Sequence, residues 1–179
     1  MQHSLLGLSL AEAQKTEFFT WFNLAQTGTE TDAEKRPVVV FKPTGDAFHK
    51  LVTVRTVLDN RQHIVRIELL LARSFLDDRR QGMFANDIAK SLLLDATSGT
   101  DQDAIRGLAN DISSNQKGRE GLITATPIPA PPEHPGPAYL TYLGEQHTDT
   151  EQLPSATLHL ENLKIGGQDW LQIALSLRR

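Results

Sequence analysis

A chain of 179 residues with 39% hydrophobic and 22% charged residues is long enough to bury a real core and fits one domain spanning 1–179. Its formal charge of -4 supplies no basic footprint for nucleic acid, and the absence of cysteine excludes disulfides, thiolate catalysis, iron–sulfur clusters and cysteine-type zinc sites. No run approaches the roughly 20 apolar residues of a membrane span, so the expectation is a soluble protein, cytoplasmic or of the cell envelope with a leader absent from this chain.

Near the start, Ala11 and Ala13 have the A-x-A arrangement of a leader's end, but no basic region precedes them. Ser9 and Glu12 form an S-x-x-E capping box, which reads better as a helix start. Leu10, Ala13, Phe18, Trp21, Phe22 and Ala25 then follow helical spacing and predict one amphipathic helix from Leu10 to about Ala25, with its aromatic residues in the core. Thr27 to Arg36 is polar and aperiodic and reads as a loop.

Val38 to Lys42 is a β-branched run closed by Pro43 and the Thr44-Gly45-Asp46 turn signal, and Leu51 to Leu58 is a second strand. Asp59 to Gln62 turns the chain into a third, where Val65, Ile67, Leu69 and Leu71 alternate with Arg66, Glu68 and Leu70. Ser74 and Asp77 predict a helix start directly after it, with Leu76, Phe84, Ile88 and Leu92 as its buried stripe and Gly82 in its interior. After the break at Ser98-Gly99-Thr100, a box of Thr100 and Asp103 opens a second helix through Ile105, Leu108 and Ile112 that ends at about 114–118.

Six of the nine prolines fall within 127–137, which predicts a stiff surface crossing; Pro129 to Pro132 and Pro132 to Pro135 also have P-x-x-P spacing, with no basic residue beside it to sharpen a ligand reading. Three further strands are expected at Ala138–Leu143, Thr157–Leu163 and Leu171–Leu177, the last two joined at Gly166-Gly167. The fold expected is therefore α+β: an antiparallel sheet of about six strands, in the order α-βββ-αα-βββ, with helices packed on it in a sandwich-like arrangement. The order of strands across the join between the two groups does not follow from the pattern.

No phosphate-binding glycine loop, nucleophile elbow, zincin helix or EF-hand loop is present. His147, Asp149 and Glu151 sit two apart, and His159 and Glu161 would share a strand face, so a hairpin could assemble imidazole and carboxylate for acid–base work or metal-assisted hydrolysis. The composition of Glu145 to Gln152 reads more simply as a solvated loop. Arg55, Arg66 and Arg73, with Arg61, Arg79 and Arg80 nearby, could hold an anion, although Asp77 and Asp78 offer local neutralisation. With no fingerprint, the expectation is a noncatalytic binding or accessory protein, without a cofactor or resident metal, acting on a protein or small molecule. The alternative is a small metal-assisted hydrolase using His147, Asp149, His159 and Glu161.

Overall fold

The computed structural model describes residues 4–115 and 131–178. Its strands are β1 (Leu24–Thr31), β2 (Pro37–Pro43), β3 (Val52–Leu58), β4 (Ile64–Ala72), β5 (Thr148–Gln152), β6 (Ala156–Ile165) and β7 (Gln168–Leu177). They form one antiparallel sheet in the order β1-β2-β3-β4-β7-β6-β5. The helices are α1 (Leu10–Ala13), α2 (Glu17–Trp21), α3 (Arg73–Leu76), α4 (Gly82–Asp95), α5 (Gly99–Ser114) and α6 (Pro137–Leu143). The α+β class follows the expectation; the sheet has seven strands among the described residues.

Two meanders, β1 to β4 and β5 to β7, meet where β4 pairs with β7, with Ile67 opposite Leu175, Leu69 opposite Ile173 and Leu71 opposite Leu171. Alternation along each strand sends these residues, with Phe41, Val54, Leu158 and Leu160, to one face. There they join a single core cluster to which every helix contributes, among them Ala13, Phe18, Phe75, Ile88, Ile105 and Tyr142. The helices therefore lie on one side of the sheet.

The other side carries Val38, Val40, Val57, Leu70 and Ala174, all buried yet outside that cluster. Arg55 stands opposite Val40 and Arg66 opposite Val57, so their aliphatic stems flank the valines while their guanidinium groups reach carboxylates. Arg55 bonds Glu30 at 2.7 Å and Glu68 at 3.0 Å, and Arg66 bonds the second oxygen of Glu68 at 2.8 Å.

Several elements differ from the sequence expectation for identifiable reasons. The Ser9–Glu12 capping box forms reciprocally, but the helix it opens ends at Ala13. A second helix starts after Thr16, and Asn23, at φ 48°, turns the chain into β1 where helix and loop were expected. β1 is an edge strand with no buried residue, so it shows no alternation; pairing to β2 defines it. The expected Ser74–Asp77 box is replaced by the short α3 and a turn in which the Asp78 carboxylate accepts from the Arg80 and Gln81 amides, so Gly82 opens α4. α5 begins at Gly99, and Asp101 in its first turn accepts from the amide and hydroxyl of Ser155.

Ala138–Leu143 is a helix and no strand, because Pro137 fits its first position and Gly144, at φ 83°, supplies the left-handed residue that ends it. Tyr139 and Tyr142 then share its buried face, and the Tyr142 hydroxyl donates to Asn86 at 2.7 Å. Glu145–Gln152 is partly strand: β5 forms the other edge of the sheet. The β6–β7 hairpin turns at Gly166 and Gly167, φ 58° and 83°, as expected. Of the proline segment, Pro131, Pro132 and Pro135 lie outside helix and strand, Pro137 begins α6, and Pro127 and Pro129 lie outside the described residues.

The predicted stripe of α4 divides. Ile88 is 2% exposed, whereas Phe84 is 47% exposed. Ile88→Ala is expected to cost about 2–5 kcal/mol and Phe84→Ala about 1 kcal/mol or less in urea titrations; equal losses would contradict this division.

Candidate functional site

The β5–β6 register fixes where the C-terminal histidines and acids lie. Thr148 pairs with Glu161 and Thr150 with His159, so these side chains face away from the helices, while Asp149 pairs with Leu160 and Glu151 with Leu158 on the helix side. Glu161 is approached by His159 at 3.5 Å and by the exposed His147 at 3.8 Å, and His159 also contacts the Thr150 hydroxyl at 2.7 Å. The sheet thus brings His147, His159 and Glu161 together and places Asp149 on the opposite face. Among the described residues no group of three His, Asp or Glu is arranged to hold a metal ion.

On the helix side, Asp149 and Glu151 form a partly buried acid pair. One oxygen of Asp149 is buried without a hydrogen-bond partner. Burial pushes the Glu151 carboxyl above its ordinary range, and the Asp149 charge adds to the rise.

The arginines expected to hold an anion are also separated. Arg55 and Arg66 both spend their guanidinium groups on Glu68, itself 4% exposed. Arg73, at the end of β4, donates to the carbonyls of Tyr142 at 2.8 Å and Thr141 at 3.0 Å, and from two nitrogens to the Asn162 side-chain oxygen. Asn162 returns its amide to Thr141 and Gln146 carbonyls. A cation on the last carbonyls of α6 is a favourable helix cap. Burial lowers the Arg73 pKa from its usual range, with Asp77 at 4.0 Å the main opposing charge. Gly144 lies under the guanidinium: an added Cβ would stand 3.1 Å from its central carbon. Arg73 and His147 share an open cavity of about 540 Å³ with Lys164, Asp169 and Trp170, in which Lys164 and Asp169 pair at 3.5 Å. These positive charges are therefore matched by helix carbonyls or acids.

A different hollow is apolar. Between α2, the start of α4 and the β2–β3 connection lies a cleft of about 360 Å³ walled by Trp21, Phe22, Phe48, Phe75, Phe84 and Ile88. The Phe48 ring packs on Phe75 at 5.3 Å and on Phe84 at 5.7 Å, making a continuous aromatic wall. Trp21, 71% exposed, stands at its mouth and also borders a second hollow along α4 with Asp87, Lys90 and Ser91. Sequence spacing put Trp21 and Phe84 in the core with Phe18 and Ile88. The break at Asp78 to Gly82 was the available signal that Phe84 falls in the first turn of α4, where less of the fold covers it. No protein-family model, curated protein or solved structure matches the chain.

The acid pair has a consequence for stability. Folded Glu151 keeps its proton to a pH above the ordinary 4.5, so between these values the folded state binds more protons than the unfolded one, and stability falls as pH rises. Glu151→Gln is expected to flatten that fall in urea titrations run from pH 4 to 7. An unchanged pH slope would show that the pair carries no linkage.

Proposed function

We propose that the chain is a noncatalytic binding or accessory protein that works through the aromatic cleft. The observation that carries this reading is the pairing of a formed apolar hollow of about 360 Å³ with two large apolar side chains left in solvent at it, Trp21 and Phe84. Single exposed apolar residues are ordinary, but aromatics gathered around a concave surface of ligand-pocket size favour occupation by an apolar group, since filling the hollow removes their surface from water. His159 and Glu161 stand on the outer sheet face and Arg73 caps α6, away from this hollow. A second reading, a small metal-assisted hydrolase, draws on the approach of His147 and His159 to Glu161. Stoichiometric zinc or manganese, lost in His147→Ala or His159→Ala, would favour it over binding.

A neutral solvatochromic dye such as Nile red tests the cleft. Saturable, blue-shifted emission with one site per chain is expected, and Trp21→Ala or Phe84→Ser should each weaken binding by about tenfold or more, the loss that follows from withdrawing one buried aromatic contact. Both residues are exposed enough for the variants to stay folded. No binding, or unchanged affinity in both variants, would overturn the proposal.

A further inference from the structure

We infer that the cleft selects a neutral aromatic ring that carries one hydrogen-bonding group, with the ring between the aromatic walls and the polar group at the mouth beside Asn23. This rests on the binding reading above and goes further by naming the ligand's chemistry. Five of the lining residues are aromatic, Trp21, Phe22, Phe48, Phe75 and Phe84, and rings favour offset or edge contacts with other rings over contacts with alkyl chains alone. None of the described lining residues is charged, so a charged group placed inside would lose its water without gaining an opposite charge. The charges of the second hollow, Asp87 and Lys90, lie beyond Trp21.

Among the lining residues Asn23 is the one whose side chain can accept as well as donate, since the Trp21 indole N–H only donates. Its backbone is fixed: the amide donates to Thr20, the carbonyl accepts from Thr44, and φ is 48°. The Asn23 side chain is exposed and starts from this fixed backbone among the lining residues, so its carboxamide is available to donate to or accept from a ligand. Asparagine is one of the few residues that adopts this left-handed conformation at little cost, so a polar group is presented here without backbone strain that other side chains would meet.

The test is a titration of the full chain with indole, 1-methylindole, indole-3-carboxylate and tryptamine, followed by calorimetry and by shifts of the Trp21 indole and Asn23 side-chain resonances. Indole should bind about threefold to fivefold tighter than 1-methylindole, which has the same ring without the donor. The carboxylate and the amine should each bind at least tenfold more weakly than indole. Asn23→Gly, which keeps the left-handed backbone, should bring the ratio of indole to 1-methylindole affinity to about one, whatever it does to the affinity of either alone. Equal or tighter binding of either charged relative, an indole preference that survives Asn23→Gly, or no binding of any of the four while Nile red still binds would overturn the inference. Loss of Nile red binding as well would overturn the cleft reading on which it rests.

Discussion

The pairing of β4 with β7 is the constraint from which the rest of the architecture follows. β4 is buried along most of its length and is the last strand of the first meander; β7 is the last strand of the second. Once Ile67, Leu69 and Leu71 are set against Leu175, Ile173 and Leu171, the two meanders become one sheet with a continuous apolar face. Neither meander could cover that face alone. Within its own span of 137–177 the second meander has α6, a helix of seven residues, among the described residues, and a unit of its size without disulfides seldom stands independently. Sharing α3, α4 and α5 across the join resolves this, because burial of both sets of strands draws on the same helices.

Polar chemistry is concentrated at the joints of this arrangement. Arg73 leaves the end of β4 and binds the last carbonyls of α6 together with Asn162 of β6, so one guanidinium ties the first meander, the short helix and the second meander. Gly144 admits it by having no side chain. Asn86 on α4 receives the Tyr142 hydroxyl of α6, with the Asn115 side chain donating to the same Asn86 oxygen at 3.3 Å. On the outer face, Glu68 holds Arg55 and Arg66 over buried valines. Arg55, Arg66 and Arg73 are thus occupied with holding elements in place, whereas Trp21 and Phe84 remain exposed at an apolar hollow.

What could be read from the sequence follows burial. The inner strands alternate because one face is buried, and the Gly166-Gly167 turn fixes the last hairpin, so β2, β3, β4, β6 and β7 were legible. β1 and β5 are edges with largely exposed side chains, and Gln26-Thr27-Gly28-Thr29 carries no alternation that distinguishes a strand from a loop. Tyr139, Leu140, Tyr142 and Leu143 fit either period over so short a stretch; Pro137 and Gly144, read as caps, were the signal that decides it. Among site residues, the closeness of His159 and Glu161 was legible because they alternate on one strand. The use of Arg73 was not, since its partners lie 68, 69 and 89 positions away. Spacing alone does not tell Trp21 and Phe84 from core aromatics, because the spacing that buries Phe18 and Ile88 also lays out the rim of a cleft; for Phe84 the break at Asp78 to Gly82 was the signal that separates it.

Native-state hydrogen exchange across the join tests the central claim most directly. If the β4–β7 pairing makes the two meanders one cooperative body, the amides of Val54 in β3, Leu69 in β4, Leu160 in β6 and Ile173 in β7 should open with one shared free energy, equal to that of global unfolding. Amides of β6 and β7 that exchange through a cheaper opening, while β3 and β4 remain protected, would contradict a shared core and return the chain to two loosely joined halves.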